Sequence, residues 1–181
     1  QAALNAAGAL SITDPSFTGG FYYAKGGSTV FLPAGIYLTN NTLTLPQNVS
    51  IEGTGKYSSI IKSSYDGAII RNSDVVTTAG TYDKAGTVLR KFSLIGDRAN
   101  TNQVGLDLLR LVFGSIEDVA VTKCGSHGIV MSQCAILTCR NLESIYNVGA
   151  GLIVRDGFNT WATNGTPNDL PSNAITFWGI H

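Results

Sequence analysis

A repeat of 23 residues is the feature that most constrains the fold of this chain of 181 residues. Three segments align with glycine at the second position of each: VGLDL, HGIVM and AGLIV. These glycines are 23 residues apart each time: Gly105, Gly128 and Gly151. An earlier copy, residues 89–96, matches residues 116–123 at a distance of 27, with four extra residues in the polar loop 96–103. A fixed period of this length indicates stacked structural units.

Apolar residues alternate with polar or small residues over four to six positions in each unit, and Gly or Asn closes each run. This alternation has the period of a β-strand. A short unit cannot bury its apolar face alone, but copies stacked at the sheet spacing of about 4.8 Å bury a continuous column. The repeat therefore predicts an all-β chain folded as a parallel β-helix. The expected inward ladders are Leu106, Ile129 and Leu152; Leu108, Met131 and Val154; and Phe92, Val119 and Leu142.

Two other architectures fit the pattern less well. A leucine-rich repeat has a similar period, but its LxxLxLxxN consensus does not recur in this sequence. An immunoglobulin-like sandwich also has many short strands, but its strands do not repeat in register.

Charge and composition exclude several classes of function. Only 13% of the residues are charged and the formal net charge is 0, which lacks the basic footprint of a nucleic-acid binder. No apolar run reaches the 18 or so residues that cross a bilayer, so we expect no membrane insertion. The three cysteines have no CxxC motif and no His at zinc-ligand spacing, and no cluster of carboxylates is typical of a calcium site. We expect buried thiols, no metal and no cofactor.

The N-terminal third carries a resemblance to a known family. The run GSTVFLPAGIYL at residues 27–38, followed by LTLP at 43–46 and VSIEGTG at 49–55, resembles the opening of the pectate-lyase-like superfamily. Within that superfamily it is most similar to bacteriophage tailspikes and related capsule depolymerases. The resemblance implies a right-handed, single-stranded parallel β-helix, a handedness that parallel crossovers also favour. It further implies a short N-terminal capping helix, of which residues 1–7 look like the end, and a homotrimer.

The expected organisation is a single β-helix domain over residues 1–181. Its last residues form a rung-like strand without a polar terminal unit, so we expect the N-terminal part of a longer coil. The predicted parts are a cap and entry (1–25), the first rungs (26–71), an insertion (72–87), regular 23-residue rungs (88–156), a second insertion (157–173) and the start of a further rung (174–181).

Candidate catalytic residues are weak in this sequence. Hydrolysis of a glycosidic bond commonly uses two carboxylates about 5 to 9.5 Å apart, which neighbouring rungs can provide. The candidates are Asp156, Asp118 and Glu117. The 23-residue offset stacks Glu117 on Arg140 and Asp118 on Asn141, however, which also describes a surface ion pair and an Asp-Asn ladder.

Substrate-binding candidates lie at a turn and in the second insertion. Arg110, Gln133 and Asp156 fall in one column, where Arg110 is placed to read an acidic sugar. Phe158 and Trp161 lie among Asn, Thr and Asp, a mixture that stacks on sugar rings, although Trp161 also fits a packing role. A separate outward strip, Val130 and Ile153 beside Asp107, is apolar, which favours coverage by another chain.

These observations lead to one function and an alternative. The expected protein is of the tailspike type, located on the phage virion or otherwise extracellular. It binds a bacterial capsular or O-antigen polysaccharide and cleaves it as a depolymerase, as a hydrolase in preference to a lyase, with catalytic residues mostly outside this chain. The alternative is a non-catalytic adhesin or spacer built on the same coil. A plant-wall pectinase needs acid-rich motifs that the sequence lacks.

Overall fold

A computed structural model describes residues 1–9, 12–13, 24–25, 28–72, 84–155 and 172–181. These residues form a parallel β-solenoid of about five turns with one short N-terminal helix, which confirms the predicted fold class. The helix α1 spans Ala2–Gly8. The strands, in chain order, are β1 Ile12–Thr13, β2 Ala24–Lys25, β3 Thr29–Leu32, β4 Gly35–Thr39, β5 Leu43–Leu45, β6 Ser50–Gly53, β7 Ser59–Ser63, β8 Ile70–Asn72, β9 Lys84–Ala85, β10 Val88–Ile95, β11 Leu106–Leu109, β12 Leu111–Val112, β13 Ser115–Thr122, β14 Ile129–Ser132, β15 Ala135–Ile145, β16 Leu152–Arg155 and β17 Asn173–Ile180.

Two parallel sheets run the length of the coil. One has five strands in the order β16-β14-β11-β8-β5, and the other has ten strands that include the long β10, β13, β15 and β17. The register of β11, β14 and β16 pairs Leu106 with Ile129 and Ile129 with Leu152, as the 23-residue offset predicts. The offset of 27 is also confirmed, because Leu89 pairs with Ile116. A separate antiparallel pair joins β1 to β2.

The inward ladders form the core. Leu106 and Ile129 are at most 1% exposed, as are Phe92, Val119 and Leu142. The ladder of Leu108 and Met131 is equally buried, but Val154 at its end is 42% exposed. Burial of this ladder therefore decreases toward β16.

The repeated glycine is explained by close packing between rungs. A Cβ on Gly105 would lie 2.8 Å from the carbonyl oxygen of Gly128, and a Cβ on Gly128 would lie 2.7 Å from that of Gly151. Real Cβ atoms do not approach a backbone oxygen so closely. Glycine therefore recurs at this position because a side chain has no space where each turn passes the next.

Left-handed residues turn the corners between strands. Non-glycine residues at these corners have φ between 50° and 60°, a region that costs L-residues energy. By strand register they stack into columns, one immediately before or at the start of the long strands and one within them. The first column is Asn48, Gly86, Phe113, Ile136 and Ala174; the second is Lys91, Asp118, Asn141 and Gly179; two shorter ones are Arg110 with Gln133 and Lys123 with Tyr146.

The helix α1 covers one end of the coil. Leu4 and Ala7 are buried in the core cluster. The Gln1 side chain completes the edge of β5, since its amide nitrogen donates to the Thr44 carbonyl at 3.0 Å and its oxygen accepts from the Thr44 amide at 2.8 Å. The Gln1 side chain thus provides hydrogen-bond partners for backbone groups at a sheet edge that could otherwise pair with another chain.

The outward face of the five-stranded sheet is partly buried within this single chain. Asp107 is 2% exposed and Val130 is 3% exposed, whereas Ile153 is half-buried. Oδ2 of Asp107 also forms an ion pair with Nη2 of Arg71 at 3.1 Å. The burial of Asp107 and Val130 does not require another chain, and the expected homotrimer stays a prediction.

The three thiols are buried and free, as expected. Burial raises the pKa of each of Cys124, Cys134 and Cys139 to about 12. Among the described residues, no helix has the length and hydropathy of a membrane span.

Candidate functional site

The predicted column of Arg110 and Gln133 exists, but it lies below the surface. The Nε of Arg110 donates to Oε1 of Gln133 at 2.8 Å. Arg110 is 1% exposed and Gln133 is fully buried. Nη1 of Arg110 has no hydrogen-bond partner in the described part of the chain. The binding role of this pair stays a prediction, and it requires a ligand that reaches a buried guanidinium.

The other predicted binding residues cannot be placed. Asp156, Phe158 and Trp161 lie outside the described residues. Their roles in binding, and that of Asp156 in catalysis, stay predictions.

Glu117 and Asp118 lie on the outward side of β13. The side-chain amide of Asn141 donates to Oδ1 of Asp118 at 2.5 Å, which is the predicted Asp-Asn ladder. Glu117 pairs in register with Arg140. The two side chains form no ion pair within the described ranges, so the expected surface ion pair is absent there. Catalysis by either carboxylate stays a prediction.

A polar cluster that the sequence did not predict surrounds this ladder. The loop 54–58 folds onto the sheet, and the Ser93 hydroxyl donates to the Lys56 carbonyl oxygen. Nζ of Lys56 lies 3.2 Å from Oδ1 of Asn141, and the Tyr57 hydroxyl donates to Oε2 of Glu143 at 2.5 Å. This hydrogen bond to the Glu143 carboxylate raises the pKa of Tyr57.

A surface cleft of about 600 Å³ opens at the far end of the long strands. Its size falls within the range of pockets that hold small ligands. The lining residues are Leu38, Thr39, Lys62, Ser63, Ser64, Ile95, Gly96, Asp97, Arg98 and Lys123. Concave shape, hydroxyl groups and exposed charge occur together here.

Three cations line the cleft, one from each of three successive turns. Lys62 faces outward near the end of β7. Arg98 lies in the loop 96–103 after β10, and Lys123 directly follows β13. The register of Lys62 with Ile95, and of Ile95 with Thr122, makes these turns adjacent. Adjacent turns are about 4.8 Å apart, so the three cations come from neighbouring levels of the coil. With Asp97 as the acid among the lining residues, positive charge predominates.

The loop that carries Arg98 is anchored by a buried glutamine. Gln103 is fully buried; its Oε1 accepts the Asp97 amide at 2.5 Å and its Nε2 donates to the Tyr65 carbonyl oxygen at 2.7 Å. The Asp97 carboxylate accepts the Ala99 amide at 3.0 Å. These bonds fix the backbone on both sides of Arg98. The sequence signal for this part of the site was the four extra residues in the loop 96–103.

The comparisons with known proteins bear on the fold. No family model and no curated protein matches the chain. Its structure is similar to that of ORF18 of Geobacillus virus E2, with a TM-score of 0.75 and 20% identity over 99% of this chain and 32% of that one.

It is also similar to the A-modules of two mannuronan C-5 epimerases of Azotobacter vinelandii. For AlgE4 the TM-score is 0.55 and the identity 20%, with 85% of this chain and 48% of that one covered. For AlgE6 the values are 0.51 and 21%, with 98% and 57% covered. The chain thus spans between about a third and just over half of these proteins, and at this identity the likeness shows a shared β-helix fold.

Proposed function

We propose that this chain is a β-helix module that binds an acidic polysaccharide in the cleft lined by Lys62, Arg98 and Lys123. The observation that carries the proposal is the row of three cations on successive turns inside a concave surface. A polymer that carries repeated negative charges can contact such a row at several points at once. The exposed hydroxyl of Ser64 can hydrogen-bond a sugar beside these cations, whereas Ser63 is buried and the Thr39 hydroxyl donates to the Asn41 carbonyl oxygen.

Two of the structural neighbours are consistent with this proposal. Mannuronan, for which both epimerases are named, is a polysaccharide, and the third neighbour is a viral protein. We therefore keep the finer proposal of a tailspike-type protein, on a virion or otherwise extracellular, that recognises a bacterial capsule or O-antigen. Cleavage of that glycan is assigned mostly to residues outside this chain.

Two lysines with the same backbone conformation provide a matched test. Lys123 lies in the cleft and Lys91 lies outside it, and both have φ of 60° at a corner. We expect Lys123→Gln to weaken binding of acidic polysaccharides by roughly 3- to 10-fold, because one charge-assisted contact is lost. Lys91→Gln should change binding less than about twofold.

Binding is measured by calorimetry against a panel of acidic and neutral bacterial polysaccharides. Equal losses in the two variants, or equal binding of neutral and acidic polymers, would contradict the proposed site. Release of reducing ends or unsaturated ends from a bound polymer, measured on the same panel, separates a depolymerase from the adhesin alternative.

A further inference from the structure

One outward column of the ten-stranded sheet alternates in charge. Strand register places Phe31 beside Glu52, Glu52 beside Arg90, Arg90 beside Glu117, Glu117 beside Arg140 and Arg140 beside Trp178. The four charges therefore read −, +, −, + along the axis, with an aromatic ring at each end. Phe31 is 57% exposed and Trp178 is 63% exposed.

Only half of this column is paired within the chain. Nη2 of Arg90 lies 2.6 Å from Oε2 of Glu52, and this hydrogen bond lowers the pKa of Glu52. Glu117 and Arg140 form no ion pair in the described part of the chain. Beside the charges runs a column that is mostly of hydroxyl residues: Thr29, Ser50, Val88, Ser115, Thr138 and Thr176. These side chains are shorter than the charged ones, so the charged column projects furthest from this part of the sheet.

The column is complementary to itself when it is reversed. Read backward, −, +, −, + becomes +, −, +, −, so each charge meets its opposite and each terminal ring meets the other. We infer that this face binds a second copy of the chain in antiparallel orientation. Glu52 then faces the partner's Arg140, and Arg90 faces the partner's Glu117. Phe31 packs on the partner's Trp178.

Symmetry supports this arrangement over others. A two-fold axis parallel to the strands reverses the order of the turns and leaves each column facing its own copy, which is a closed, isologous contact. A two-fold axis along the coil keeps the order of the turns and places Glu52 against the partner's Glu52. Like charges in contact oppose that pairing.

The size of the face sets the expected affinity. Five steps of the sheet spacing give a length of about 24 Å, and the two columns give a width of roughly 15 Å with side chains included. Each copy then covers about 360 Å², so the total of roughly 700 Å² is below that of a standard specific interface and fits a weak, transient contact. We expect self-association with a Kd on the order of hundreds of micromolar, weakened by salt.

Two double substitutions with identical composition test the pairing. Arg90→Glu with Glu117→Arg gives −, −, +, +, which is still complementary when reversed. Glu117→Arg with Arg140→Glu gives −, +, +, −, which meets like charges at every reversed position. Within one chain the second variant retains the Glu52–Arg90 pair and the first does not. An effect on folding should therefore harm the first variant more, whereas an effect on self-association should harm the second.

The measurement is sedimentation of the full chain up to about 1 mM, with circular dichroism as the check of folding. We expect dimers for the wild type and the first variant, and at least a 10-fold weaker association for the second. A monomeric wild type, a trimer, or equal association of the two variants would overturn the inference.

A cross-linking measurement keeps the test decisive if a charge variant fails to fold. Phe31→Cys with Trp178→Cys places two thiols about 24 Å apart in one chain and close together across the antiparallel pair. The native thiols are buried, so a short bis-maleimide should react at the new sites. We expect covalent dimers from the double variant and far fewer from Phe31→Cys alone. Equal yields would contradict the antiparallel orientation.

Discussion

Three buried thiols give the core a simple dependence on pH. Cys124, Cys134 and Cys139 are fully buried and free, and desolvation raises the pKa of each from the ordinary value of 9.0 to about 12. A thiol that stays protonated in the folded state behaves as a small apolar side chain. These residues therefore contribute to packing at neutral pH, and their chemistry appears only in alkali.

We predict that the free energy of unfolding falls as the pH rises from about 9 toward 12. In this window the unfolded state releases the thiol protons while the folded state keeps them, so the unfolded state is favoured. One pH unit above 9 the cost is about 1 kcal/mol for each thiol. Urea denaturation under reducing conditions at pH 8 and pH 10 measures the fall. In Cys139→Ala the fall should be about 1 kcal/mol smaller, and an equal fall in both proteins would contradict the assignment.

At the scale of the strand and its corners, regular stacking forces some residues into conformations that their side chains disfavour. Ile136 has φ of 53° and is 43% exposed. A β-branched residue at positive φ is an outlier, while Asn tolerates this region. The same corner column already uses Asn48 and Gly86 in earlier turns. The corner is thus imposed by the coil and not by local preference at residue 136.

We predict that Ile136→Asn raises the free energy of unfolding by about 1 kcal/mol, because it removes the cost of a left-handed Ile. Little buried contact is lost, since the side chain is half-exposed. Ile136→Val retains the branched Cβ and should give no gain. Chemical denaturation of the three proteins decides the matter: a loss of stability in the Asn variant would show that Ile136 packing outweighs the backbone strain.

The strands and the inward ladders could be predicted because stacked turns require the same residue types at a fixed spacing in the sequence. Gly105, Gly128 and Gly151 recur at one spacing since each lies against the next backbone, and the inward residues follow them in register. The residues that line the cleft show no such regular spacing. Lys62, Arg98 and Lys123 are 36 and 25 residues apart, because loops of different length separate their turns. The burial of Arg110 could not be predicted either, since the repeat determines its column but not which residues cover it.

At the scale of the whole molecule, each turn contacts mainly the turns before and after it. Strands β11 and β13 are paired on both sides, with β8 and β14 and with β10 and β15 respectively. Stability in such a stack is approximately a sum of turns and their interfaces. The centre should therefore open least often, and the two ends should differ according to how they are covered.

We predict that amide exchange is slowest in β11 and β13 and faster at both ends, with β5 better protected than β16. Leu45 in β5 is fully buried and Gln1 caps that edge, whereas Val154 in β16 is 42% exposed. Exchange follows local opening, so cover at one end slows it there. Gln1→Ala should speed exchange at Thr44, whose amide donates to the Gln1 side chain, and leave β13 unchanged. Uniform protection along the coil, or no change at Thr44, would show that the chain opens as one cooperative unit and that the cap contributes no local stability.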